Sequence, residues 1–269
     1  DTTDRNRTSP FAFTGNKFEF RMLGSTASIA GPNTVLNTAV AEELRQFADA
    51  LEGAADFEAA LHDLIKNTVQ EHKRIIFNGN GYEESWLEEA KKRGLLNLVS
   101  TPDCLPYLLH KKNIKLFTDH KVYTETELRS RYEILEEKYC KTLGIEAATM
   151  LDMAKKDILP AVTSYVHELS DAALAKYSFM PDADSTYEKS MISKLSSLSA
   201  LAFKKTEALE KCVMDAKEIK DTGALARFYK DSVFAAMNNL RATVDEMETV
   251  TAKKYWPYPS YGDLLFSVR

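Results

Sequence analysis

Lys17, Glu19 and Arg21 stand on alternate positions, with Phe18 and Phe20 between them. Side chains on a β-strand alternate faces, so the three charged groups would share one face at spacings of roughly 7 Å. Both phenylalanines would then enter the core behind them. Just upstream, Arg5, Asn6 and Arg7 add further cationic and polar groups. Several cations beside one carboxylate are stable where an anion neutralises them. Arginine grips carboxylates and phosphates at two points, and a glutamate among cations suits a hard divalent metal that carries phosphates. The chemistry this pattern could do is handling of an anionic, metal-bound substrate. Its plainer reading is an alternating charged face turned to solvent, which antiparallel sheets commonly carry.

Positioning such a face requires a hairpin. Phe11-Ala12-Phe13 alternates in the same way, and Thr14-Gly15-Asn16 supplies a tight turn. The small-residue stretch Gly24–Gly31 leads to Pro32-Asn33, which opens a helix with Leu36, Val40, Leu44, Phe47 and Leu51 on one face and Gly53 as its stop. A second helix is predicted from Asp56, with Phe57, Leu61, Leu64, Ile65, Val69 and Ile76 as its stripe. Phe77–Tyr82, "FNGNGY", must turn, and its amides could form an anion-binding nest. A short helix follows over about 83–93, and Ser100-Thr101-Pro102-Asp103 looks like another helix entry.

Beyond Thr124 glycine and proline nearly vanish. Three long runs show apolar residues at spacings of three and four. The first carries Leu128, Tyr132, Leu135, Tyr139 and Leu143 and meets Pro160, which should kink or interrupt it. The second runs from Tyr187 to Ala216, and the third from Leu225 to Met247. Short joints favour antiparallel neighbours. The expected fold is mainly α: a β-hairpin left from a mixed α/β catalytic domain, then helices, then a long antiparallel helical bundle. The expected domains are 1–122 and 123–269. The aromatic tail "YWPYPSYGDLLF" should dock on the body.

The 269 residues carry a net charge of −5, with 44% hydrophobic and 28% charged residues. That balance gives no general pull toward nucleic acid or anionic lipid, and no run reaches the ~20 apolar residues of a membrane span. Cys104, Cys140 and Cys212 are sparse and unpaired in pattern, which fits a cytoplasmic setting. The five histidines show no metal-ligand spacing. A chain opening at Asp1, directly before a dense polar motif, reads as part of something longer.

"NRTSPFAFTGNKFEFR" (6–21), followed by "GPNTVLNTAVAEEL" (31–44), resembles the last catalytic motif of glutamine synthetases, in particular the large-subunit type III class. "RIIFNGNGY" (74–82) and "KKYWPYPSYGDLLFSV" (253–268) resemble that class as well. The resemblance implies an ATP-dependent glutamate–ammonia ligase that uses Mg²⁺ or Mn²⁺ and works through a γ-glutamyl phosphate. Its partners would be glutamate, ammonia, ATP and further copies of the chain in a ring-shaped homo-oligomer. On matching positions it implies Glu19 as a metal ligand, Arg21 as the glutamate contact, Arg7 as the residue steadying the transferring phosphoryl group, and Lys17 near the nucleotide phosphates. The common small-subunit pattern has a further arginine where this chain has Ala12. One carboxylate does not make a metal site, so these 269 residues alone are expected not to turn over. The competing expectation is a helical interaction or oligomerisation module with no catalytic role.

Overall fold

The computed structural model describes residues 11–13, 17–20, 24, 27–77 and 79–266. It divides into two compact units, with the boundary between Ser130 and Arg131.

In the first unit β1 (Phe11–Phe13) and β2 (Phe18–Phe20) pair antiparallel. Helix α1 (Ala30–Leu51) and helix α2 (Phe57–His72) follow, with Gly53 just past the end of α1. Asp56 caps α2 by accepting the Ala59 amide at 3.0 Å, which satisfies one of the donors that a helix start leaves open. Then come α3 (Glu84–Lys92), α4 (Thr101–Cys104) and α5 (Lys111–Asp119). The helices stand where the periodicity puts them, but their apolar stripes stay open. Thr38 is the one buried residue of α1, and α2 has none. Val40, Leu44, Ile65 and Val69 are all exposed. Phe18 is 61% exposed rather than buried behind the charged face. A two-stranded ribbon has no second layer of its own, so its apolar face needs another element to cover it.

The described residues of the Asn-Gly segment turn as expected. Phe77 stacks on Trp86 with ring centroids 3.8 Å apart. Gly79 crosses that ring at φ +156°, where a Cβ would stand 2.7 Å from it, so only glycine fits. Asn80 accepts the Tyr82 amide through Oδ1 at 3.1 Å. That amide is therefore committed to a local turn. Arg93 lies over the Trp86 ring at 5.4 Å and donates to the Ile76 carbonyl at 3.0 Å. The segment is a packed corner.

Helix α6 (Glu125–Asp152) crosses the boundary and leads into the second unit. There Pro160 removes one backbone donor and would clash with the carbonyl one turn back. The chain accommodates it with a π-helical turn over Met153–Ile158, after which α7 (Leu159–Phe179) resumes with proline in its first turn. That position needs no N–H, so the expected interruption takes the form of a widened turn. Helix α8 (Thr186–Ala216) returns along α7. After α9 (Thr222–Phe228) a second π-helical turn, Tyr229–Val233, leads into α10 (Phe234–Val250), which packs along α8. No proline announces this second turn. Its setting is a close approach: a Cβ at Gly144 of α6 would stand 3.0 Å from the Tyr229 hydroxyl.

Val162, Leu195, Leu209, Val233, Leu240 and Met247 form a buried core between these helices. Glu136 is buried as well, with Tyr132 donating to it at 2.6 Å. Burial and this carboxylate push the Tyr132 phenol up to about 12. The first part of the tail docks as expected, whereas Tyr261 and Phe266 further on are 85% and 81% exposed. Tyr255, Trp256 and Tyr258 pack on the core. Lys254 and the Tyr255 hydroxyl both reach Glu168, Tyr258 donates to Asp157 at 2.9 Å, and Ser260 opens the short helix α11 (Tyr261–Leu265).

Candidate active site

The charged face begins with register. Phe11 pairs with Phe20, Ala12 with Glu19, and Phe13 with Phe18. Glu19 is exposed in the middle of β2, and Lys17 is exposed immediately before it. Lys17 stands in a bend one residue ahead of the strand, two positions before Glu19. Directly opposed positions on antiparallel strands share a face with Cβ atoms about 5 Å apart. Position 12, where the small-subunit pattern has an arginine, is therefore the immediate cross-strand neighbour of Glu19. Alanine there adds no cation beside the carboxylate.

Arg7 and Arg21 lie outside the described residues, as do Asn6 and the turn at 14–16. Of the four expected site residues, the structure describes Glu19 and Lys17. Glu19 can offer a divalent ion one hard oxygen ligand of the six or more that such ions take. Among the described residues no group of three His, Cys, Asp or Glu could complete the set.

A second polar cluster in the same unit escaped the sequence reading. Glu42 of α1 contacts the His120 Nε2 just past α5 at 2.7 Å, and also accepts from Arg45 and Gln46. The Arg45 guanidinium first, then His120, holds the Glu42 carboxyl well below the usual range. Arg45 in turn reaches Asp49 at 2.6 Å. The pair joins residues 78 apart. No spacing rule connects them; only the packing of α5 on α1 does. It ties together two helices of the unit that carries the ribbon.

Comparison with known proteins extends the picture beyond the ribbon. A family model described as the glutamine synthetase C-terminal domain matches residues 60–177. That span starts after the ribbon and runs into the bundle. The chain is also 41% identical over 276 residues to a glutamine synthetase of Butyrivibrio fibrisolvens, covering 100% of this chain and 39% of that protein. A type-3 glutamine synthetase of Dictyostelium discoideum is 38% identical over 273 residues, covering 99% of this chain and 37% of that protein. A glutamine synthetase of Bacteroides fragilis is 32% identical over 279 residues, again with 99% of this chain and 38% of that protein covered. The chain spans about two fifths of the length of these relatives. Both the ribbon and the bundle lie within the aligned span. From the charged strand to the docked tail, the chain belongs to the glutamine synthetase family and corresponds to its C-terminal part.

Proposed function

We propose that this chain supplies one wall of the active site of a type III glutamine synthetase, an ATP-dependent glutamate–ammonia ligase. The observation that carries the reading is the pairing of Glu19 with position 12 in a ribbon whose sequence matches whole-chain relatives of that name. In this reading Glu19 ligates Mg²⁺ or Mn²⁺, which neutralises phosphate charge. Lys17, just ahead of the strand, faces the nucleotide phosphates. Arg7 steadies the transferring phosphoryl group, and Arg21 holds the glutamate substrate by a planar two-point contact.

The residues suit the step they would serve. The side-chain carboxylate of glutamate attacks the γ-phosphorus of ATP. The bond to the bridging oxygen breaks, and ADP leaves with that electron pair. Ammonia then adds to the acyl carbon of the γ-glutamyl phosphate, loses a proton, and expels inorganic phosphate. Phosphoryl transfer depends on positioning and charge neutralisation more than on covalent help from the protein. Two guanidinium groups and an ammonium beside a metal-binding carboxylate provide both. The ribbon provides only part of the set, so the remaining acidic ligands come from the other three fifths of the protein. The 269-residue chain supplied with ATP, glutamate and ammonium accordingly gives no turnover. The complete protein works in the cytoplasm as a ring-forming homo-oligomer.

Arg21→Lys in the complete protein tests the reading. A lysine cannot reproduce the two-point contact, so the KM for glutamate rises by about tenfold or more while the KM for ATP changes little. An unchanged glutamate KM removes Arg21 from that role.

A further inference from the structure

The ribbon unit lacks an interior of its own. Phe117 and Leu128 are the large apolar side chains that are buried among its described residues. A unit of this size ordinarily encloses a core. Here α1 and α2 instead leave an open apolar groove of about 220 Å³ between them. Phe47 and Leu51 of α1 line one side, and Leu61, Leu64, Ile65 and Val69 of α2 line the other. Ile65 and Val69 stand exposed at this groove, and Val40 and Leu44 continue the open stripe along α1.

Amphipathic helices take most of their stability from packing of the apolar face. A cover on which α1 and α2 depend must be present wherever the unit is folded, at any concentration. That condition favours a segment of the same polypeptide over a partner that comes and goes. The relatives supply the segment. This chain aligns end to end with about two fifths of each, so about three fifths of the protein lies outside it. The matching family model is that of a C-terminal domain, which puts the remainder ahead of this chain. A second copy of the 269 residues would bring only the same open unit. Continuity points the same way. On the ligase reading, on which this step rests, the rest of the protein already reaches Glu19 to complete its ligand set. β2 ends at Phe20 and α1 starts at Ala30, and the chain between them spans at most roughly 35 Å.

We infer that the groove between α1 and α2 is the seat of the N-terminal three fifths of the same polypeptide. The ribbon unit is then part of a larger domain and not a domain of its own.

Site-specific photocrosslinking in the complete, purified protein tests this. p-Benzoylphenylalanine takes the place of Ile65. After irradiation the product is sized on a denaturing gel, and its joined peptides are identified by mass spectrometry. The expected product has the mass of one subunit and joins position 65 to a peptide from the part of the protein ahead of residue 1. Should the Ile65 variant lose helicity by circular dichroism, the same label at Val69 gives the same product. A product of two-subunit mass makes the occupant a second copy and overturns the inference. Crosslinks confined to the 269 residues overturn it too, as does the absence of crosslinks at both positions, because no other part of the chain then fills the groove. None of these readouts involves turnover. An open groove leaves the role of Arg21 untouched, and an unchanged glutamate KM in Arg21→Lys leaves the crosslink where it is.

Discussion

The two units handle apolar residues in opposite ways. In the bundle, leucines on three long runs converge until Leu195, Leu209 and Leu240 are fully enclosed. In the ribbon unit, α1 and α2 have equally clear stripes, yet Leu44, Ile65 and Val69 remain exposed. Amphipathic periodicity predicts that a helix exists and which face wants cover. It does not say where the cover comes from. The bundle covers the stripes that face its centre because short joints fold three long helices back on one another, while Ile145, Phe203 and Phe234 outside that centre stay exposed. The ribbon unit has the stripes of an interior without the second layer.

The largest effect should separate these two cases. Leu195→Ala leaves a cavity at a fully enclosed site and lowers the stability of the bundle by about 2–5 kcal/mol in denaturant unfolding. Ile65→Ala at an exposed site of α2 shifts the same chain by about 0.5 kcal/mol or less. Equal losses at the two positions would erase the distinction between an enclosed stripe and an open one.

A smaller effect sharpens the account of the tail. Lys254 first, then Tyr255, holds the Glu168 carboxyl below its ordinary value of about 4.5. A carboxyl depressed in the folded state stabilises above its unfolded value, and that contribution fades as pH falls through the folded one. Tail docking is therefore intact at neutral pH and weakens below about pH 4.5. With Trp86 replaced by phenylalanine, the emission of Trp256 reports on the tail alone. It should shift to the red on acidification. In Glu168→Gln the tail clamp is weakened already at pH 7, and the pH-dependent part of the shift shrinks. A Trp256 spectrum with the same acid response in both chains contradicts the clamp.

The legible features share a local cause. Helix extents, the turn at the Asn-Gly segment, the hairpin and the interruption at Pro160 all follow from spacing or from one residue's stereochemistry. The π-helical form of the break does not, because it depends on how α7 must re-enter its packing on α8. The second π-helical turn is hidden for a similar reason: its partner, Gly144, lies some 85 residues away in sequence. The Glu42–His120 pair is equally illegible, being set by the packing of α5 on α1. The position of Phe18 marks the opposite error, where a correct alternation suggested burial and the side chain is 61% exposed.

For the site, alternation marked Lys17 and Glu19 as a pair; the strand holds Glu19 with Lys17 just ahead of it, and the register adds that position 12 pairs with Glu19 directly. Their chemical roles came from the family resemblance. Alternation alone describes a solvated charged face equally well.

The most direct test is metal activation of the complete protein carrying Glu19→Gln. The amide keeps the shape of the side chain but takes away the anionic ligand. The Mg²⁺ or Mn²⁺ concentration for half-maximal glutamine formation should rise by at least about tenfold. A curve that overlays the unsubstituted protein's would mean that Glu19 is not a metal ligand.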